Sequence, residues 1–455
     1  MKNMKTRSLA LLLCNVSIIA MVLVPFTFMV HVPEAQAATI TAYCDGTAAS
    51  PVVPTDAPGG SELDEGSWTT SDNVTFLNGN NDGYCVLDKE IDVASVTIGN
   101  GLADGFDYAF LTHAAAGWDN DPTGGFDMQG VLISTSGNFT IYAGNGISAD
   151  SKGCVGAGTY NGYGPNGSNV CTLGATGYGP GFNSTGKGVA GAGHGGAGGA
   201  GSSANGTGAY YGSNTAPILF GSSGGNVTAA ALGGSGGGLV RLDVSGSFTH
   251  NGSITADGGD GGVVDVGDKA AGGGSGGSIY VTVVGAFAGS TGTFSADGGA
   301  GANDDAQDGG GGGGGRVSLN YGSSTFSGLG SEDFTVTGGT ATGTAVAGDL
   351  GTVYVKDTTA SAVTIYHGFT YDSDFSETTW TVDSSATGQY CDGASDATPS
   401  ITVSGALTLA GTLDCTHASV TGFDTAAGTS VTLSSLTYTM NATAAGGVPR
   451  YLDNE

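Results

Sequence analysis

The chain has 455 residues, of which 88 are glycine, 40 are acidic and only 11 are lysine or arginine, for a formal net charge of −29. So few cations leave no basic footprint for neutralising phosphates, which excludes sequence-independent nucleic-acid binding and docking on an anionic membrane surface. Glycine at about one residue in five has no G-X-Y period, which excludes collagen, while 39% hydrophobic residues suffice for a core.

The N-terminus reads as an export signal. Lys2, Lys5 and Arg7 form a basic start, Leu9 to Val32 is an apolar stretch, and Ala35-Gln36-Ala37 places small residues before a cleavage point. Pro25 interrupts an apolar run long enough to serve instead as an uncleaved anchor. Removing residues 1–37 subtracts three basic residues and one acidic, leaving 8 basic and 39 acidic, a net of −31 over 418 residues. The expected location is secreted or cell-surface, with no membrane insertion after cleavage.

Cys14 lies in the signal, leaving Cys44, Cys85, Cys154, Cys171, Cys391 and Cys415. An even count in an exported chain favours disulfides. Clustering favours the local set 44–85, 154–171 and 391–415 among the possible connectivities. Each bridge would close a loop of about 17 to 41 residues and contribute roughly 3–4 kcal/mol.

Residues 38–130 read as a β-rich capping section, with a strand at 93–99. From 131 a repeat begins. VLISTSGNFTIYAGNGISAD (131–150) aligns with 240–257, across a glycine- and tyrosine-rich insertion at 151–238. The element ending in aspartate recurs at 147–150, 254–257 and 294–297, and in degenerate form at 334–337. Ile254, Phe294 and Phe334 are each 40 residues apart. Each unit holds short β-branched runs of period two, such as Ile279-Tyr280-Val281-Thr282-Val283, followed by a glycine-rich stretch. Two or three short strands in some 22 residues is what one coil of a solenoid requires, and a single coil cannot bury its apolar face without neighbours. The expected fold is all-β, a right-handed parallel β-helix with glycine-rich loops. Glycine at its corners would supply the positive φ of tight turns. Residues 358–455 read as further coils and a cap, with strands at 401–409 and 431–438.

The stretches YGSNTAPILFGSSGG (211–225), GGSGGGLVRLDVSGSFTHNGSITADGG, GGGSGGSIYVTV and GGGGGGGRVSLNY resemble the glycine-rich repeats of large secreted bacterial β-helix proteins and of adhesin-like surface proteins. The resemblance covers about 131–357. It implies a parallel β-helix with a surface or extracellular role, and brings no catalytic residue set with it.

Three sets of residues are candidates for chemistry. Asp150, Asp257 and Asp297, stacked in register, would form a carboxylate ladder that a bound cation stabilises. Asp304 joins them through a partial likeness of 298–304 to the calcium-binding nonapeptide of repeats-in-toxin proteins. An aspartate before Gly-Gly is equally a turn former whose carboxylate accepts backbone N–H bonds, so the cofactor is either none or calcium. Tyr160, Tyr163, Tyr178, Tyr210 and Tyr211 in the insertion suit contact with sugar rings or a surface protein, or packing of the insertion against the strands. Gly193-His194-Gly195 and Asp304-Asp305 echo polygalacturonase-like hydrolases, but in the opposite order and without that family's companion motifs. Arg241 and Arg316 read as strand side chains in separate coils. The expected function is therefore an exported structural or adhesive protein without catalysis. The alternative is a polysaccharide-binding or polysaccharide-cleaving protein, a lyase or glycoside hydrolase, on the same fold.

Overall fold

The structure is a computed structural model. It describes residues 38–58, 60–79, 83–87, 89–101, 108–114, 130–157, 161–166, 169–173, 179–181, 188–203, 206–227, 231–264, 269–304, 307–371, 375–383, 385–386 and 388–391, and then strands up to 439. Side chains are described through Gly368 and again within 377–386. The signal-like residues 1–37, the side chain of Cys391 and all of Cys415 lie outside the described residues.

The chain is all-β. Among the described residues, helix is confined to single 3-10 turns at Glu65–Ser67 and Ser331–Asp333. The N-terminal section supplies β1 (Thr39–Cys44), β2 (Asn73–Asn78), β3 (Tyr84–Val86), β4 (Ile91–Val93), β5 (Ser95–Ile98) and β6 (Phe110–Thr112). Then come β7 (Val131–Thr135), β8 (Phe139–Ile141) and β9 (Gly146–Ser148). The insertion contains the antiparallel pair β10 (Tyr163–Pro165) and β11 (Cys171–Leu173). After it lie β12 (Leu239–Val244), β13 (Phe248–His250), β14 (Ser253–Thr255), a short hairpin of β15 (Val263–Val264) and β16 (Lys269–Ala270), then β17 (Ser278–Gly289) and β18 (Thr293–Ser295). The series closes with β19 (Arg316–Ser324), β20 (Phe334–Thr335), β21 (Thr352–Asp357) and β22 (Ala362–Tyr371). Strands continue to Tyr438–Thr439, one of them at Ile401–Leu409 as the alternation there foretells.

Pairing follows the repeat. β4, β7, β12, β17, β19 and β21 run side by side and parallel. β5, β8, β13 and the second half of β17 form a second parallel run, and β3, β6, β9, β14, β18 and β20 a third. β22 returns antiparallel on β21. The strands of the N-terminal section thus belong to the same runs as the repeats.

Because the ladders are in register, like residues stack into buried columns. One reads Ile91, Ile133, Leu242, Val281, Leu319 and Val355, and another Leu111, Ile147, Ile254, Phe294 and Phe334. Phe139, Phe248 and Phe287 form a third. Each such side chain contributes about 1.5–3 kcal/mol through burial. Disulfides join Cys44 to Cys85 and Cys154 to Cys171, two of the three bridges expected. The first ties β1 to β3, and the second pins the start of the insertion.

The glycine runs depart from expectation. They are not tight corners: none of 233–238, 272–277 or 309–315 contains a positive-φ residue. They are extended segments that bond to one another through their backbones. Over 272–277 the N–H donors address three neighbours in strict rotation. Gly272 and Ser275 donate to Gly225 and Ser222, Gly273 and Gly276 to Gly310 and Gly313, and Gly274 and Gly277 to Gly259 and Ala256. The carbonyls of Gly272 and Ser275 accept from Gly234 and Gly237, that of Gly273 from Ala192, and that of Gly274 from Gly299. One segment is thus bonded to six others. A three-residue rotation without internal bonds is the geometry of a polyproline II helix. Residues 309–315 sit in the same surroundings, donating to 296–302, to Val189 and Ala192, and to Val346 and Asp349.

Glycine is required here by close approach. A Cβ on Gly312 would lie 2.0 Å from the carbonyl oxygen of Gly274. The insertion supplies members of this bundle at 188–201, 219–227 and 231–238.

Gly312→Ala should therefore destabilise the protein by on the order of 3 kcal/mol through overpacking against backbone. At Gly262 the nearest atom to a new Cβ is 3.2 Å away, and Gly262→Ala should change stability by less than about 1 kcal/mol. Thermal unfolding of both variants checks this, and equal losses would remove close approach as the reason for glycine.

Candidate functional site

The aspartate ladder forms, and its carboxylates are occupied by the chain itself. Asp150 Oδ1 accepts the Asp257 N–H at 2.8 Å, Asp257 Oδ1 accepts the Asp297 N–H at 2.7 Å, and Asp297 Oδ1 accepts the Thr337 N–H at 2.6 Å. Hydroxyls join them: Ser148 and Thr255 donate to Asp150 Oδ2, and Ser295 to Asp257 Oδ1. Each carboxylate therefore reaches to the next rung where its strand gives way to a glycine segment, doing the work of a turn-forming aspartate between rungs. Burial, and next the Asp150 carboxylate, push Asp257 up to about 6. Asp304 stands apart from this ladder, where its Oδ2 accepts the Lys269 N–H at 2.6 Å. Among the described residues no group of three or more His, Cys, Asp or Glu is placed to hold a metal ion.

The tyrosines divide. Tyr160 and Tyr178 lie outside the described residues. Tyr163 is half-buried against the cluster of Cys154, Phe220 and Leu239, and Tyr210 is half-buried. Tyr211 is a core residue rather than an exposed contact group. Its hydroxyl donates to the Phe220 carbonyl at 2.5 Å and lies 2.9 Å from Ser222 Oγ, because the segment carrying it is bonded into the glycine bundle.

Arg316 is a strand side chain, as expected, and a buried one. It is 1% exposed at the head of β19. Its Nε donates to the Tyr211 carbonyl at 2.8 Å, Nη1 to Asn214 Oδ1 and to Thr352 Oγ1, and Nη2 to the His194 carbonyl. His194 is fully buried, with Nδ1 2.9 Å from the Gly276 carbonyl oxygen and its ring 4.6 Å from that of Tyr211. Its place in Gly-His-Gly is thus a seam where strands meet glycine segments, away from solvent. Burial, and then the Arg316 charge, bring His194 down to about 3. Burial likewise brings His113 and His250 down to about 4.

On the outer surface the register assembles a further group. Asp92, Ser134, Asp243 and Thr282 occupy one outward row on β4, β7, β12 and β17. In the adjacent row the Arg241 guanidinium lies 5.9 Å from the Tyr280 ring centre and 2.8 Å from Asp243. Beyond the row, at the bend after these strands, Asp92, Asp243, Thr282 and Val284 line a cavity of about 300 Å³. β17 carries an irregularity in register between Val283 and Ala286, and Val284 there is 70% exposed. Only the period-two alternation pointed to these residues. Asp92 comes from the section whose sequence shows no alignable repeat, so its place in the row needed the pairing.

Comparison with known protein families, with curated proteins and with solved structures returns no match for this chain.

Two pH effects follow. The buried histidines bind protons less readily folded than unfolded, so stability is full above about 6.5 and falls as pH drops from there towards 4. The melting temperature should fall steadily between pH 7 and 4.5. Asp257 acts in the opposite sense, since its raised value means that stability is lost as pH rises from 3.8 to about 6. Asp257→Asn keeps the acceptor and removes the charge, so it should stabilise by about 2 kcal/mol at pH 7 and by little at pH 4. An equal effect at both values would show that charge repulsion in the ladder is unimportant.

Proposed function

We propose that the chain is an exported structural or adhesive protein of the cell surface or extracellular matrix, built as a right-handed parallel β-helix. The observation that carries this reading is the in-register stacking of β4, β7, β12, β17, β19 and β21 beside a second body of glycine segments bonded to one another. A chain so largely committed to backbone pairing between successive rungs suits a load-bearing or display role. The disulfides at Cys44–Cys85 and Cys154–Cys171 favour an oxidising, extracytoplasmic location. The acidic charge keeps such a protein soluble and apart from its copies.

Calcium is a second reading, favoured by the stacking of Asp150, Asp257 and Asp297 on successive rungs and by the lowered acidity of Asp257 between its two neighbours. A cation bridging those carboxylates would relieve their repulsion. Equilibrium calcium titration tests it, and no uptake at millimolar free ion would end it.

Expression of the full-length chain in a bacterial host tests the main reading. The mature N-terminus should be Ala38 by mass spectrometry, and the protein should be digested by protease added to intact cells or recovered from the medium. A cytoplasmic protein with residues 1–37 intact would overturn it.

A further inference from the structure

We propose that the bend beside β4, β7, β12 and β17 binds a strand of neutral polysaccharide, an inference that rests on the adhesive reading above and names its ligand. The hollow there is open to solvent and holds about 300 Å³, room for one or two sugar rings of a polymer lying along the surface. Its walls combine the groups that recognise sugars. Asp92 and Asp243 accept hydrogen bonds from neighbouring hydroxyls, Ser134 and Thr282 both donate and accept, and Val284 offers an apolar contact.

The spacing follows from the ladder. Asp92, Ser134, Asp243 and Thr282 stand on successive rungs about 4.8 Å apart, so the row offers polar groups at regular intervals to a polymer lying across the strands. Asp243 is paired with Arg241, whose guanidinium lies 5.9 Å from the Tyr280 ring centre, so the row carries an aromatic side chain beside its polar groups. The irregularity in β17 places Val284 outward at the edge of the cavity, as bulges do beside binding sites. Charge selects among polysaccharides. Two carboxylates in the site, on a chain with a net charge of −29, repel uronate or sulfated polymers.

The test uses the exported protein against a soluble glucan, mannan and galactan, with polygalacturonate and chitosan as charged comparators, by co-sedimentation and titration. Asp92→Ala with Val284→Ser should weaken binding to a neutral polymer at least tenfold while leaving the melting temperature unchanged. Val346→Ser, at an exposed position away from this row, should leave binding unchanged. Binding of the wild type that both variants retain would overturn the assignment of this face, as would binding to a charged polymer only. Adhesion to cells or matrix protein without polysaccharide binding would overturn the proposal and leave the adhesive reading standing. No binding to polysaccharide, cells or matrix protein would overturn both.

Discussion

Backbone-to-backbone contact without side chains is the constraint on which the rest of this structure depends. In an ordinary β-protein, side chains hold layers about 10 Å apart. Here the glycine segments approach until a single added carbon on Gly191, Gly274 or Gly312 would overlap a carbonyl oxygen. Glycine gives up more conformational freedom on folding than any other residue. The return is that amide groups in these segments, which have no apolar side chains to bury, are bonded to neighbours in several directions at once. The strands supply the opposite solution, with hydrogen bonds along the ladder and Val, Ile, Leu and Phe columns inside. The two meet where Arg316, Tyr211 and His194 fill the seam. There an arginine is satisfied by carbonyl and side-chain oxygens contributed from both bodies.

Much of the strand body was legible in the sequence, because its signals are local. The 40-residue spacing of Ile254, Phe294 and Phe334 is the spacing of residues that pair directly. The recurring aspartates mark equivalent rungs, and the local pairing of Cys44 with Cys85 and Cys154 with Cys171 is the pairing formed. The glycine bundle was not legible, for a physical reason. Composition tells that side chains are absent but does not distinguish a residue that needs positive φ from one that needs space. Gly274 and Gly312 show no positive φ, and only their neighbours reveal which requirement applies.

The same limit governs the sites. The aspartate ladder was visible as a register, but whether its oxygens face solvent or the next rung depends on where the chain turns. The burial of Tyr211 and Arg316 was not legible because period-two reasoning does not register a second body covering the strands. The outward group around Asp92, Asp243 and Val284 required the opposite information, namely which residues stay uncovered. It also needed the pairing of β4 with β7, across the break between the irregular N-terminal section and the repeats.

The insertion has a consequence for how the molecule is made. β7 and β12 are neighbours in space, Val131 beside Val240, yet the whole of 151–238 is threaded between them. A chain emerging from its N-terminus completes β7, β8 and β9 and must then hold their open edge unpaired until β12 arrives. The loop entropy of that wait is modest, since each doubling of length adds only about 0.6 kcal/mol. The delay is more consequential, because contacts so distant along the chain make folding slow. The segments 188–201 and 219–227 cannot find their partners at 272–277 and 309–315 until those too have appeared. The bundle is therefore completed late, and a molecule truncated before residue 309 would lack the glycine segment 309–315 together with β19, β20 and β21.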